Sequence, residues 1–212
     1  RNDVEVIFVM PKASGDEDQS FVKVVNASDI EARYCDSSIE GADDIMSKIK
    51  NEAKIKFPLI VAVREQLEHR ALWMYLLCDE AKKKGLESSE FAPAAIKRCG
   101  LYQGANLRAK AGGGESLKGL KKTLFSKAAQ WVFEMDIKRC TDDNLDIDFH
   151  YCPLVKAWQK QGCSDEEIKV LCDQAMCGDR GIAESFGCEL DLPKTIANGD
   201  DVCEIRFVRR NK

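Results

Sequence analysis

The chain has 212 residues, 44% of them hydrophobic, with 32 basic and 36 acidic side chains and a net charge of -4. That apolar share is ordinary for a globular protein and sufficient for a core, while the near balance of charge removes the electrostatic case for nucleic acid as a partner. The longest apolar run, ALWMYLLC at 71–78, is far short of the ~18 residues that cross a bilayer, so no membrane span is expected.

In chain order, VEVIFVM and FVKVV read as two strands joined by the acidic turn PKASGDEDQS. Residues 1–40 are therefore expected to form an N-terminal β-hairpin appendage to an α+β domain over 41–212. The opening RNDVEV lacks a methionine, which is compatible with a trimmed start and a lost export signal; nothing that remains points to export. Residues 43–56 read as a helix with Ile45, Ile49 and Ala53 along one side. From Leu59 to Lys84 the period is again helical, with Ile60, Val63, Leu67, Ala71, Met74, Cys78 and Ala81 in one stripe. Gly85 ends this helix after three lysines whose charge suits its C-terminus. A further helix is predicted from Ser88 through EFAPAAIKRCG, and AGGGES at 111–116 reads as a loop.

The second half changes period. WVFEMDIK (131–138), LDIDFHY (145–151) and CEIRFV (203–208) alternate as half-buried strands, which predicts one antiparallel sheet with Phe133, Ile147 and Phe207 on its covered face. The fold class expected is α+β, with N-terminal helices packed on a small antiparallel sheet formed mainly by the C-terminal half.

Ten cysteines invite a disulfide framework, but such frameworks belong mostly to small secreted domains. The spacings from Cys152 onward contain no CxxC pair, which disfavours a zinc ribbon or finger. Several thiols fall in apolar stripes, where cysteine behaves as a small hydrophobe. The chain reads as reduced and cytoplasmic.

Cys152 stands just before Pro153, a preferred first helical residue, in a helix that Gly162 closes. Ser, Thr, Asp or Asn is favoured at that position; a thiolate there would be stabilised by the free N–H groups and the helix dipole, with a lowered pKa. The structural alternative is a buried cysteine that ends a strand. His150 lies two residues earlier and, by strand alternation, on the same face as Cys152, Asp146 and Asp148. A Cys–His pair with carboxylates nearby suits a nucleophile and base or a metal site; the alternative is a solvated charged face. Ser164 and Glu167 form a capping box for a helix that buries Ile168, Leu171, Cys172 and Ala175, with Asp173 at the stripe's edge. Gly178 is expected to end that helix and Asp179 to cap the next. Arg70 interrupts the apolar stripe of the long helix and needs a partner there, either an internal acid or a ligand carboxylate. His69 faces the flank with Trp73 and Leu76.

EHRALWMYLLCDEAKKKG, FHYCPLVKAWQKQGCSDEEIKVLCDQAMCGDRG and TIANGDDVCEIRF together resemble the L-2-amino-thiazoline-4-carboxylic acid hydrolase family over most of residues 60–208. The resemblance implies a hydrolase-like domain that opens a 2-aminothiazoline ring to a carbamoyl-cysteine on a bacterial route to cysteine. It directs attention to Cys152, Cys172, Asp173, Asp179 and Cys203. Against that chemistry, Arg70 would anchor the substrate carboxylate, with His69, Cys172 and Cys203 lining the site. Asp173 or Asp179 would hold the protonated amidine. Cys152, with His150 near it, would either attack the ring carbon or ligate a divalent metal that activates water. The competing class is a small-molecule-binding or sensor domain without catalysis, similar in topology alone to the vinyl-reductase-type domain. A small-molecule partner is expected on either reading, and the oligomeric state is open.

Overall fold

The computed structural model describes residues 47–210, so the hairpin expected over 1–40 lies outside the described residues. Four helices come first: α1 (Pro58–Lys83), α2 (Ser88–Lys110), α3 (Leu117–Leu124) and α4 (Lys127–Val132). Strands β1 (Met135–Cys140) and β2 (Asn144–Phe149) follow, then α5 (Pro153–Lys160), α6 (Asp165–Ser185), β3 (Glu189–Asp191), a 3-10 turn (Ile196–Asn198) and β4 (Cys203–Val208). The strands form one antiparallel sheet in the order β1-β2-β4-β3. This is the α+β class that the sequence predicts.

Alternation sets the sheet's two faces. Leu145, Ile147, Ile205 and Phe207 point inward and are buried, with Leu145, Ile147 and Phe207 fully sealed. They meet Trp158 and Val155 of α5, Phe186 just past α6, and Leu117 and Leu120 of α3 in one core cluster. The opposite face carries ion pairs: Arg206 holds Asp148 at 2.6 Å and Glu204 at 3.2 Å. Of the three residues expected on the covered face, Phe133 is not in a strand. Ser126 caps α4 by accepting the Ala129 N–H, and the helix consumes Trp131 and Val132. Glu134 then takes φ 51, the one non-glycine positive φ among the described residues, and β1 begins only at Met135. Phe133 still packs against Phe149, with ring centroids 5.1 Å apart.

α1 starts with Pro58 in its first turn and ends at Gly85, whose φ of 77 suits a residue without Cβ. Its buried line is Ile60, Arg64, Ala71 and Cys78, rotated slightly from the predicted stripe; Val63 is 40% exposed. The helix expected over 43–56 does not form in its described part: residues 47–57 are an extended strap. Burial there alternates, with Ile49 and Asn51 inside and Lys48, Lys50 and Glu52 outside. Side-chain and backbone bonds pin the strap along its length. Lys48 N–H donates to Asp165 at 2.8 Å, Gln159 donates to the Ile49 carbonyl at 3.1 Å, and the Lys54 and Ile55 N–H groups share one Glu134 oxygen, each at 2.7 Å.

α6 also departs from expectation. Gly178 does not end it; the helix continues to Ser185. A close crossing with α2 at this point depends on Gly100 and Gly181, whereas a Cβ on Gly178 would meet only Ile96, at an ordinary 3.4 Å from its side chain. A Cβ on Gly100 would strike the Gly178 carbonyl, and one on Gly181 would lie 2.5 Å from the Lys97 carbonyl oxygen. The two backbones meet where side chains would otherwise stand.

Candidate active site

Cys152 lies where β2 gives way to α5. The N–H groups of His150 and Tyr151 both donate to the neighbouring chain, at Glu134 (3.2 Å) and Phe133 (3.1 Å). Regular antiparallel pairing would use every second residue, so this double donation breaks the inward–outward alternation. The break turns Cys152 toward the helices while His150 stays on the outer face. Cys152 then takes φ -129 and ψ 111 as the N-cap of α5, with Pro153 in the first turn. Its sulfur closes no full capping bond, yet the N–H groups of Leu154 and Val155 face it closely enough to favour the thiolate.

Asn51 of the strap, 2% exposed, holds the backbone of Cys152 from the other side. Its Nδ2 donates to the Cys152 carbonyl at 2.8 Å, and its Oδ1 accepts the Cys152 N–H at 2.9 Å. The same carbonyl also accepts the Lys156 N–H at 3.1 Å.

Five side chains share one electrostatic environment. Burial pushes the Cys152 thiol up; the Val155 and Leu154 N–H groups and the Arg70 guanidinium pull it down, and Asp179 opposes them. Burial wins, so the lowered pKa expected from the helix dipole is not found. A densely surrounded thiolate loses more hydration than two N–H groups and a cation at the rim return. Burial raises Cys172 well above its ordinary value, with further contributions from Cys152 and Cys203. It pushes Cys203 up to about 12, again with Cys152 adding to the rise, although Cys203 Sγ accepts the Ile196 N–H at 3.2 Å. Asp179 is two helical turns from Cys172 on the same side of α6. Burial raises its carboxyl to about 6, against the pull of Arg70, its own backbone N–H and Arg180.

Arg70 is exposed, contrary to its expected burial in the apolar stripe. The arginine inside α1's buried line is Arg64. It donates to the carbonyls of Ile55 (2.5 Å), Val132 (2.8 Å) and Trp131 (3.0 Å), pairs with Glu134 at 3.0 Å, and lies over the Tyr151 ring. Arg70 has no hydrogen-bond or ion-pair partner among the described residues, while its charge acts on both Cys152 and Asp179.

The structure thus brings together Cys152, Cys172, Cys203, Asp179 and Arg70. It places three other candidates elsewhere. His150 Nε2 lies 3.0 Å from Asp136 on the solvated sheet face. His69 accepts the Trp73 indole N–H at 3.0 Å on the outer side of α1. Asp173 is ion-paired with Arg180 at 2.6 Å and points outward. Sequence reasoning missed Asn51, whose signal was the period-two pattern Ile49, Asn51, Ala53, Ile55 between charged residues.

The described cysteines are all free thiols. Among the described residues, no three His, Cys, Asp or Glu side chains are arranged to hold a metal ion. A cleft of about 310 Å³ near Tyr75 and Val170, and another of about 670 Å³ near Cys177 and Leu190, are not lined by the Cys152 cluster. No described helix is long and apolar enough to cross a membrane.

No curated protein matches the chain. Among solved structures, a trafficking protein particle complex subunit 3 from Naegleria fowleri, covalently bound to palmitic acid, aligns at 17% identity with a TM-score of 0.42. The alignment covers 68% of this chain and 95% of that one, a likeness too slight to bear on function. The family model described as L-2-amino-thiazoline-4-carboxylic acid hydrolase matches residues 64–207, from Arg64 in α1 to Phe207 in β4. That span contains every member of the Cys152 cluster and most of the chain, which therefore belongs to the L-2-amino-thiazoline-4-carboxylic acid hydrolase family.

Proposed function

We propose that the protein is a hydrolase that opens a 2-aminothiazoline-4-carboxylate-type ring to a carbamoyl-cysteine. The observation that carries this reading is the convergence of a half-buried thiol at a helix start, a carboxyl with its midpoint near 6 and a guanidinium without a partner among the described residues. Those are the groups the chemistry requires. The substrate has a carboxylate, which Arg70 anchors in two-pronged fashion. Its reacting carbon is bonded to ring nitrogen, ring sulfur and an exocyclic amino group.

Asp179, ionised above about pH 6, accepts the thiol proton as Cys152 Sγ bonds to the ring carbon. The cationic, protonated ring beside the sulfur offsets the burial that otherwise keeps the thiol neutral. The tetrahedral carbon then breaks its bond to ring sulfur, the better leaving group, and Asp179 returns the proton to that sulfur. Water adds to the same carbon of the enzyme-bound isothiourea. Loss of Cys152, reprotonated, releases the carbamoyl product. The cytoplasm suits this reading, because the thiol must stay reduced.

The test is incubation of the protein with the aminothiazoline acid and assay of carbamoyl-cysteine, with and without a chelator. Chelator-resistant turnover that a Cys152→Ser variant lacks is expected. Full turnover by that variant would overturn the role of the thiol, and chelator-sensitive turnover would move the nucleophile to metal-activated water. The raised thiols favour one second reading, a binding or sensor site without catalysis; saturable binding with no product from the wild-type protein would select it.

A further inference from the structure

We infer that Asn51 is a positioning residue for Cys152, and that the strap carrying it is a working part of the site. The inference rests on the reading of Cys152 as the nucleophile. Asn51 lies outside the family-matched span of 64–207.

A buried N–H or C=O needs a partner. His150 and Tyr151 give their N–H groups to Glu134 and Phe133, but Cys152 has left the sheet and its N–H has no strand beside it. Asn51 supplies the acceptor that this N–H lacks, at 2.9 Å, and adds a second donor at 2.8 Å to the Cys152 carbonyl, which already accepts the Lys156 N–H. One planar amide that bonds both groups of one residue fixes that residue's plane as a neighbouring strand would. The orientation of Cys152 Cβ follows, and with it the aim of Sγ at the Leu154 and Val155 N–H groups.

The amide is itself held. Flanking Ile49 is buried and its carbonyl is bonded by Gln159 of α5. Glu52 pairs with Lys156 of the same helix at 3.0 Å. The strap is therefore fastened to the helix whose N-terminus it serves, so α5, strap and thiol move as one piece. Asn51 grips the Cys152 backbone rather than its side chain, and an untethered Cys152 could turn its sulfur from the N–H groups without disturbing the sheet.

The test measures the thiol directly. Iodoacetamide labelling across a pH series, read by peptide mass spectrometry, gives the profile of Cys152 beside that of Cys188, a buried cysteine remote from the strap. The groups that face Cys152 and shape its profile are Arg70 from α1, Cys172 and Asp179 from α6, and Cys203 from β4. In Asn51→Ala the Cys152 profile should move to higher pH, with its rate at pH 8 falling at least threefold, while Cys188 is unchanged. Should that variant fail to fold, Asn51→Asp retains the acceptor for the Cys152 N–H but cannot donate to its carbonyl, and the same shift is expected. With the aminothiazoline acid, kcat should fall about tenfold or more at unchanged KM, the mark of lost aim rather than lost binding. A Cys152 profile that matches wild type, or one that moves together with Cys188, overturns the inference. If the wild-type protein fails to turn over this substrate, the hydrolase reading falls, and the labelling profiles still decide the role of Asn51.

Discussion

Two arginines six residues apart on α1 occupy opposite situations. Arg64 has three carbonyls, a carboxylate and an aromatic face within contact; Arg70 has no such partner among the described residues and faces a thiol and an acid. The first spends four of its N–H donors within the protein. The second spends none among the described residues. The difference shows that a cation's use is legible in its unspent hydrogen bonds, rather than in its position along a hydrophobic stripe.

The largest expected effect tests the open end. Cys152→Ser should lower turnover of the aminothiazoline acid by a factor on the order of 10³, while thermal unfolding stays within a few degrees of wild type because serine caps helices well. Unchanged turnover would leave the Arg70 end without a reaction. Next, Arg64→Met should lower unfolding free energy in urea by about 3–5 kcal/mol, since it leaves the buried Glu134 carboxylate without its cation and three carbonyls without their donor. Arg70→Met should lower it by less than about 0.5 kcal/mol yet raise KM. Equal losses of stability would erase the contrast between the two arginines.

Asp179 gives a smaller effect with a defined pH window. Its folded midpoint of about 6 lies above the ordinary 3.8, so the folded state binds more protons between those values. Its contribution to stability is therefore present at low pH and lost as pH rises through about 4 to 6. Asp179→Asn should stabilise the protein by about 1–3 kcal/mol at pH 7 and by almost nothing below about pH 4. Denaturant melts at both pH values decide this, and a pH-independent gain would exclude ionisation as its cause. The smallest effect belongs to exposed pairs. Asp173→Asn and His150→Gln should each change stability by less than about 0.5 kcal/mol and leave turnover near wild type. A large loss of turnover in either would return the expected role to that residue.

The sheet was legible because one buried face forces alternation, and α1 and α6 were legible because one buried side forces a helical period. What failed did so for identifiable reasons. The run 131–138 alternates on paper, but Ser126 caps a helix into it and Glu134 bends out of it. Gly178 resembles a helix stop, but α6 runs on through it, and its carbonyl fills the space that a side chain at Gly100 would need. Residues 47–57 contain both a helical and an extended pattern, and tethering to Asp165, Gln159 and Glu134 selects the extended one. His150 followed the alternation correctly; Cys152 did not, because the consecutive His150 and Tyr151 N–H groups both pair with the segment before β1, at Glu134 and Phe133. The site's thiols and Asp179 could thus be named from sequence, whereas their grouping depended on contacts between distant segments.

The glycine crossing has a mechanical consequence. On either side of Asp179, the Gly178 carbonyl abuts Gly100 of α2 and Gly181 lies against the α2 backbone at Lys97, Gly100 and Leu101. A carboxylate on an ordinary surface helix relieves its own burial by letting the helix shift toward water, and the free energy of the charged form then relaxes. α6 has no such travel. The acid at 179 is carried on a stiff spar, so the cost of its charge persists through each protonation cycle rather than being dissipated as motion.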